Sequence, residues 1–325
     1  MAAYRSSDRK HRWHEAWLTR AALMACLALT GTAQAAQAEP DCDRSCLIGI
    51  TDEYLAALSL RDPEEAPVAS TVKFTENTHP LKLGEGSAWT NVTGVQDYRI
   101  YVADPDAGQI ALYTVLDGKE RPAIYTLRMK VVNKRITEIE SVYVGIGQSG
   151  MASLDNLKTA APVWNEELPQ KKQRKREEMI AITDKYFTTL EDNVKDIIPF
   201  TDDCLRVENG TMTAGNPQGS GIGAMSCKDN LNQPIWAYIT HVQPRRYLVV
   251  DVERGLVSGM FMFRHGGEQT SYVDDKGETV PFSEAMLKKQ AVIISELFKI
   301  EDGRIRRIEA VMTGNLPLDA ASGWD

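Results

Sequence analysis

Three residues in the second half of the chain pair proton-transfer chemistry with apolar surroundings. His265 closes the alternation Val257, Gly259, Phe261, Phe263, His265 and so shares the apolar face of a strand. Glu296 lies among Val292, Ile294, Phe298 and Ile300 on one face, and His241 falls on the face of Ile235, Ala237 and Ile239, opposite Trp236 and Tyr238. If these faces line one cavity, burial raises the carboxyl pKa and lowers the imidazole pKa toward neutrality. Such groups suit general acid–base catalysis without a cofactor, a proton leaving carbon or hydroxyl while Arg246 or Tyr186 steadies the oxyanion and Trp236 lines the pocket. The competing uses are structural: a histidine hydrogen-bonded at a strand end, or Glu296 turned to solvent by a bulge. Two histidines and Glu296 also form a conceivable metal set, but the expectation is no metal.

The elements that must position these residues are written twice. ITDEYLAAL (Ile50 to Leu58) returns as ITDKYFTTL (Ile182 to Leu190). Leu47, Ile50, Tyr54, Leu55 and Leu58 share one helical face, as do Met179, Ile182, Tyr186, Phe187 and Leu190. Asp52 and Asp184, about 200° from the tyrosines, are expected to face solvent. Trp89 to Gly108 aligns without a gap on Trp236 to Gly255, pairing Trp89 with Trp236, Arg99 with Arg246, Asp104 with Asp251 and Gly108 with Gly255. A third block pairs Arg135 with Arg304. What both copies keep is expected to be mainly scaffold, and what one copy alone has is free to work. By this alignment Gly94, Gly118 and Leu127 stand where the second copy has His241, His265 and Glu296.

Each copy reads as a helix, a short irregular region and alternating strands. In copy two these are Ile235 to Val242, Arg246 to Val252, Leu256 to His265, Ala291 to Ile300 and Arg304 to Thr313. The links Asp104–Gly108 and Asp251–Gly255 have hairpin chemistry, with Asp to start the turn and Gly for positive φ. The expected class is α+β, each domain an N-terminal helix packed on a curved antiparallel sheet. The expected domains are 42–150 and 177–320, joined by a linker at 151–176, with the second the active one. Gly219–Gly223 lacks the lysine of a phosphate loop and reads as a flexible loop between Cys204 and Cys227.

On these repeats, and on strands such as Leu297–Ile305 and Ile308–Val311, the chain resembles the nuclear-transport-factor-2-like superfamily, also called cystatin-like or polyketide-cyclase-like. It looks most like an uncharacterised secreted bacterial and fungal family with tandem copies. The resemblance implies two cone-shaped domains. It implies a small apolar or aromatic ligand and a lyase, isomerase or dehydratase that works without a cofactor, loss of formaldehyde from a lignin-derived dimer among the reactions that fit. The alternative is a non-catalytic ligand-binding or interaction module whose cones dock on one another or form a homodimer through their sheets.

Composition limits the classes further. Basic residues from Arg5 to Arg20, the apolar run Ala21–Thr30 and small residues up to Ala38 read as a signal peptide over 1–38, cut after Ala35 or Ala38. Acylation at Cys26 is the rival, with a short apolar region against it. Removing 1–38 loses five basic and two acidic groups and takes the formal charge from −8 to −11, against nucleic-acid binding. No later segment approaches the ~20 apolar residues of a membrane span, so a periplasmic or secreted product is expected. The remaining cysteines have three connectivities, of which Cys42–Cys46 and Cys204–Cys227 close each pair within one repeat.

Overall fold

The computed structural model describes residues 41–147 and 152–324. The signal-peptide expectation, Cys26 included, lies outside the described residues. In the first half, α1 (Arg44–Leu60) is followed by β1 (Val68–Glu76), β2 (His79–Leu81), the short α2 (Ser87–Asn91), β3 (Val92–Asp104), β4 (Gln109–Gly118), β5 (Ala123–Val132) and β6 (Arg135–Gly145). The second half runs α3 (Arg176–Asp192), β7 (Phe200–Glu208), β8 (Thr211–Ala214), α4 (Cys227–Leu231), a 3-10 turn at Pro234–Tyr238, β9 (His241–Asp251) and β10 (Leu256–His265). It ends with a hairpin of β11 (Ser271–Val273) and β12 (Thr279–Pro281), then α5 (Glu284–Leu287), β13 (Gln290–Glu301) and β14 (Arg304–Leu316).

The α+β class holds. Each half is a six-stranded sheet, ordered β2-β1-β6-β5-β4-β3 and β8-β7-β14-β13-β10-β9. The sheets are not wholly antiparallel as expected: β1 runs parallel to β6, and β7 to β14, because the first long strand returns beside the last. The expected strand Ile235–Val242 is also corrected. Pro234 opens a 3-10 turn through Tyr238, and β9 then runs unbroken from His241.

The repeated helix does what its apolar spacing predicts. Leu47, Ile50, Tyr54, Leu55 and Leu58 are buried against the first sheet, and Met179, Tyr186, Phe187 and Leu190 against the second. Asp43 caps α1 by accepting from the Cys46 backbone N–H at 2.8 Å, and the Cys42–Cys46 disulfide staples that turn. The second disulfide joins Cys204 on β7 to Cys227 at the start of α4. Two such bonds fit an oxidising compartment.

The hairpin chemistry is present as well: Gly255 sits at φ 62°, where an added Cβ would meet the Ile300 carbonyl oxygen at 2.1 Å. Asp104 and Asp251 accept from the Ala107 and Arg254 backbone N–H groups at 3.1 and 3.0 Å.

The two sheets pack on each other. Ile100, Val102, Tyr113 and Val142 of the first meet Val249, Met260, Ile293 and Leu297 of the second in one apolar layer. Tyr113 reaches across it to Ser258 at 3.0 Å and Ser295 at 3.1 Å. The central strands are therefore buried on both faces, by a helix on one side and the sister sheet on the other. Among the described residues no helix is long and apolar enough to cross a membrane.

Candidate functional site

Strand parity puts Glu296 where the alternation predicts. Val292, Ile294, Phe298 and Ile300 face the helix-side core of the second half, and Glu296 shares that face at 1% exposure. Register supports the comparison with the first half. Glu296 pairs with Gly259 and Ala310, and Leu127 pairs with Leu112 and Ser141 in the same pattern.

Around Glu296 the second half keeps Tyr186 where the first has Tyr54 and Glu208 where the first has Glu76, but sets Arg206 among them. Tyr186 on α3 stands beside the Glu296 carboxyl and holds its titration down. Arg206 and Glu208 of β7, with Cys204, occupy the buried positions of that strand. Arg206 binds Glu208 at 2.5 Å and the Asn230 side-chain oxygen at 2.9 Å, with its guanidinium 5.0 Å from the Trp236 ring centre. Asn230, wholly buried, also donates to the Thr213 and Ile222 carbonyls at 3.0 and 2.9 Å, and its own carbonyl takes the Trp236 indole N–H at 2.7 Å. By strand register, the first half has Phe74 in place of Arg206 and Leu127 in place of Glu296. Two apolar core residues have become a cation and an acid.

Burial pushes the Glu296 carboxyl up to about 8; Arg206 and the Tyr186 hydroxyl pull the other way, while Glu208 adds to the rise. For Arg206, burial works against the charge but is outweighed by Glu208, Tyr186 and Glu296. The result is a neutral carboxylic acid beside a fixed cation at pH 7.

The other expected site residues are scattered. His265 lies on the expected face, 8% exposed, but pairs with Gln290 of β13, six positions from Glu296 and about 20 Å away at ~3.4 Å per residue. Burial lowers its imidazole to about 4. His241 stands outside the interior. Its side chain is 67% exposed and meets Glu191 at 3.2 Å, because the 3-10 turn replaces the strand that was to carry it inward. Arg246 points into the layer between the sheets, where it makes a paired ion bridge to Glu140 of the first half, one contact at 3.0 Å. Tyr186 does meet Glu296, and Trp236 packs on Arg206. Among the described residues no group of three or more His, Cys, Asp or Glu could hold a metal ion.

Arg206, Glu208 and Asn230 were not among the residues that the sequence pattern singles out. The signal available was a period-two pattern in FTDDCLRVE whose inward positions are polar, which disguises the strand. Phe187, Phe261, Phe263 and Phe298 pack the helix-side core of the second half, and surface cavities of about 570, 400 and 440 Å³ elsewhere are lined by neither Glu296 nor His265.

A family model described as a domain of unknown function (DUF8021) matches residues 172–312, which span this site. No curated protein matches the chain. Among solved structures, a de novo designed protein with a curved β-sheet is 15% identical, covering 32% of this chain and 88% of its own at TM-score 0.27. A protein assigned as a ketosteroid isomerase from Kribbella flavida is 14% identical, covering 36% of this chain and 91% of its own at TM-score 0.27. An LEH-like epoxide hydrolase of M. tuberculosis is 15% identical, covering 30% and 83% at TM-score 0.24. At these values none of them bears on the roles of the site residues.

Proposed function

We propose that the chain is an exported small-molecule pocket protein built from two cone-like domains, 42–150 and 177–320, and that the second performs proton-transfer chemistry without a cofactor. The observation that carries this reading is Glu296, a fully buried acid with its titration raised to about 8, where the sister domain has a leucine. Natural cores rarely accept such a group without a compensating role. Glu296 is the proton donor and acceptor, Tyr186 orients it, and Arg206 takes the oxyanion role that the sequence had assigned to Arg246. The substrate is a small apolar or aromatic molecule, and the reaction belongs with lyases, isomerases or dehydratases.

The test is hydrogen–deuterium exchange at the α-carbon of 2-tetralone, an enolisable aromatic ketone, followed by NMR in D₂O. Glu296→Gln is expected to lower the protein-catalysed rate about 10²-fold or more while the unfolding midpoint stays within a few degrees. An unchanged rate in that variant removes the assignment.

A second reading, a non-catalytic interaction module, draws on the filled interior and on sheets already docked within one chain. It requires that no uncharged aromatic compound shift the melting temperature of the wild-type protein.

A further inference from the structure

The second half carries two insertions, and both end near the same aromatic residues. β8 and the 3-10 turn are joined by residues 215–233, where the first half joins β2 to α2 by residues 82–86. β10 and β13 are joined by residues 266–289, where the first half joins β4 to β5 by residues 119–122. The longer insertion folds as the β11–β12 hairpin and brings Phe282, 5% exposed, to a ring distance of 6.0 Å from Tyr238. Tyr272 lies 5.3 Å from Phe282, and Tyr238 meets the His265 ring edge-on at 4.7 Å.

His265 is the last residue of β10 and the root of the insertion. Gly266 and Gly267 follow, the latter at φ 70°. Its Nδ1 is buried and has no hydrogen-bond partner. Leaving such an atom unmade costs free energy, and nothing in the fold recovers it. On its inner side Tyr238 lies within electrostatic reach of Glu208 and Arg206. Ring contacts therefore link Tyr272, Phe282, Tyr238 and His265 into one aromatic cluster at the base of the insertion.

We propose that residues 266–289 form a lid over the interior of the second half and that, with His265, they make a recognition subsite for uncharged planar aromatic molecules bearing a hydroxyl group. The rings of Tyr238, Tyr272 and Phe282 take the aromatic faces. With the imidazole proton on Nε2, Nδ1 accepts the ligand hydroxyl hydrogen. Burial keeps the ring neutral, which suits an uncharged partner. This subsite rests on the reading of the second half as a small-molecule site and names the class of molecule it admits.

The test compares 2-naphthol with naphthalene by fluorescence titration of the purified protein. Wild type is expected to bind 2-naphthol about tenfold more tightly, as one buried hydrogen bond allows. His265→Phe is expected to remove that preference, and His265→Gln, which keeps an acceptor, to retain part of it. Tyr272→Ala is expected to weaken both compounds alike. Equal affinities in wild type, no binding of either compound, or a preference that survives His265→Phe overturns the subsite. The two readings separate cleanly. If the preference is absent while α-proton exchange still depends on Glu296, only the subsite falls; if exchange ignores Glu296 while the preference persists, only the acid–base reading falls.

Discussion

At the scale of single residues, the second half has accepted two liabilities, Arg206 and Glu296, where the first has Phe74 and Leu127. Arg206 is 3% exposed and held by Glu208 and Asn230. Removing it strands Glu208, so Arg206→Met is expected to destabilise the protein by about 3–5 kcal/mol, read from the urea midpoint, even though the new side chain matches the apolar first half. Glu296 makes a signed prediction about pH. Its native pKa of about 8 lies above the ordinary carboxylate value of 4.5, so between those limits the native state holds a proton that the unfolded chain has lost. That contribution is complete below about pH 4.5 and is lost as pH rises through 8. Stability measured from pH 5 to pH 8 is expected to fall more steeply in wild type than in Glu296→Gln, by an amount on the order of a few kcal/mol. Equal slopes would mean the carboxyl titrates in its usual range.

At the scale of elements, the repeated aspartates have a role that helix geometry alone did not reveal. Tyr101 donates to Asp52, and Tyr247 to Asp184, both at 2.5 Å. Arg99 lies 3.7 Å from Asp52, and Arg245 donates to Asp184 at 2.9 Å. These are clamps from helix to sheet at the edge of solvent, not free surface residues. They also correct the gapless alignment. Bulges in β3 and β9 put Arg99 in register with Arg245, since Arg99 faces Thr114 and Arg245 faces Phe261. Arg246 is thereby released to cross between the sheets. Asp184→Asn is expected to cost about 1 kcal/mol, and Asp52→Asn, with its looser arginine, measurably less, in paired denaturation curves. The helices, both hairpins and the face of Glu296 were legible because apolar period and turn chemistry fix them. β7 was hidden because its inward positions carry Arg206 and Glu208, and His241 was misplaced because Pro234 turned an apparent strand into a 3-10 turn.

At the scale of the whole molecule, the duplication closes on itself. Arg44 at the start of α1 binds Asp251 of the second half, and Arg176 at the start of α3 binds Asp104 of the first. These are matching positions of the repeat used in exchange, and Asp104 also accepts from the Val250 backbone N–H at 3.0 Å. The Asp104/Asp251 identity therefore marks a reciprocal clamp as well as a turn. Arg44→Ala and Arg176→Ala are each expected to cost about 3 kcal/mol, because either leaves a buried carboxylate without its partner. The shared layer between the sheets is expected to keep unfolding a single transition in both variants; separate melting of one half would contradict that coupling. The two halves differ most in their cores: the first carries Phe74 and Leu127 where its copy buries Arg206 and Glu296. The most direct measurement is the infrared carbonyl band of protonated carboxyl groups, followed from pH 4 to pH 10 as the difference between wild type and Glu296→Gln, which removes the background from other buried acids such as Glu309. A difference band that disappears with a midpoint near 8 is expected. A midpoint between about 4 and 5, the ordinary range for glutamate, would contradict it.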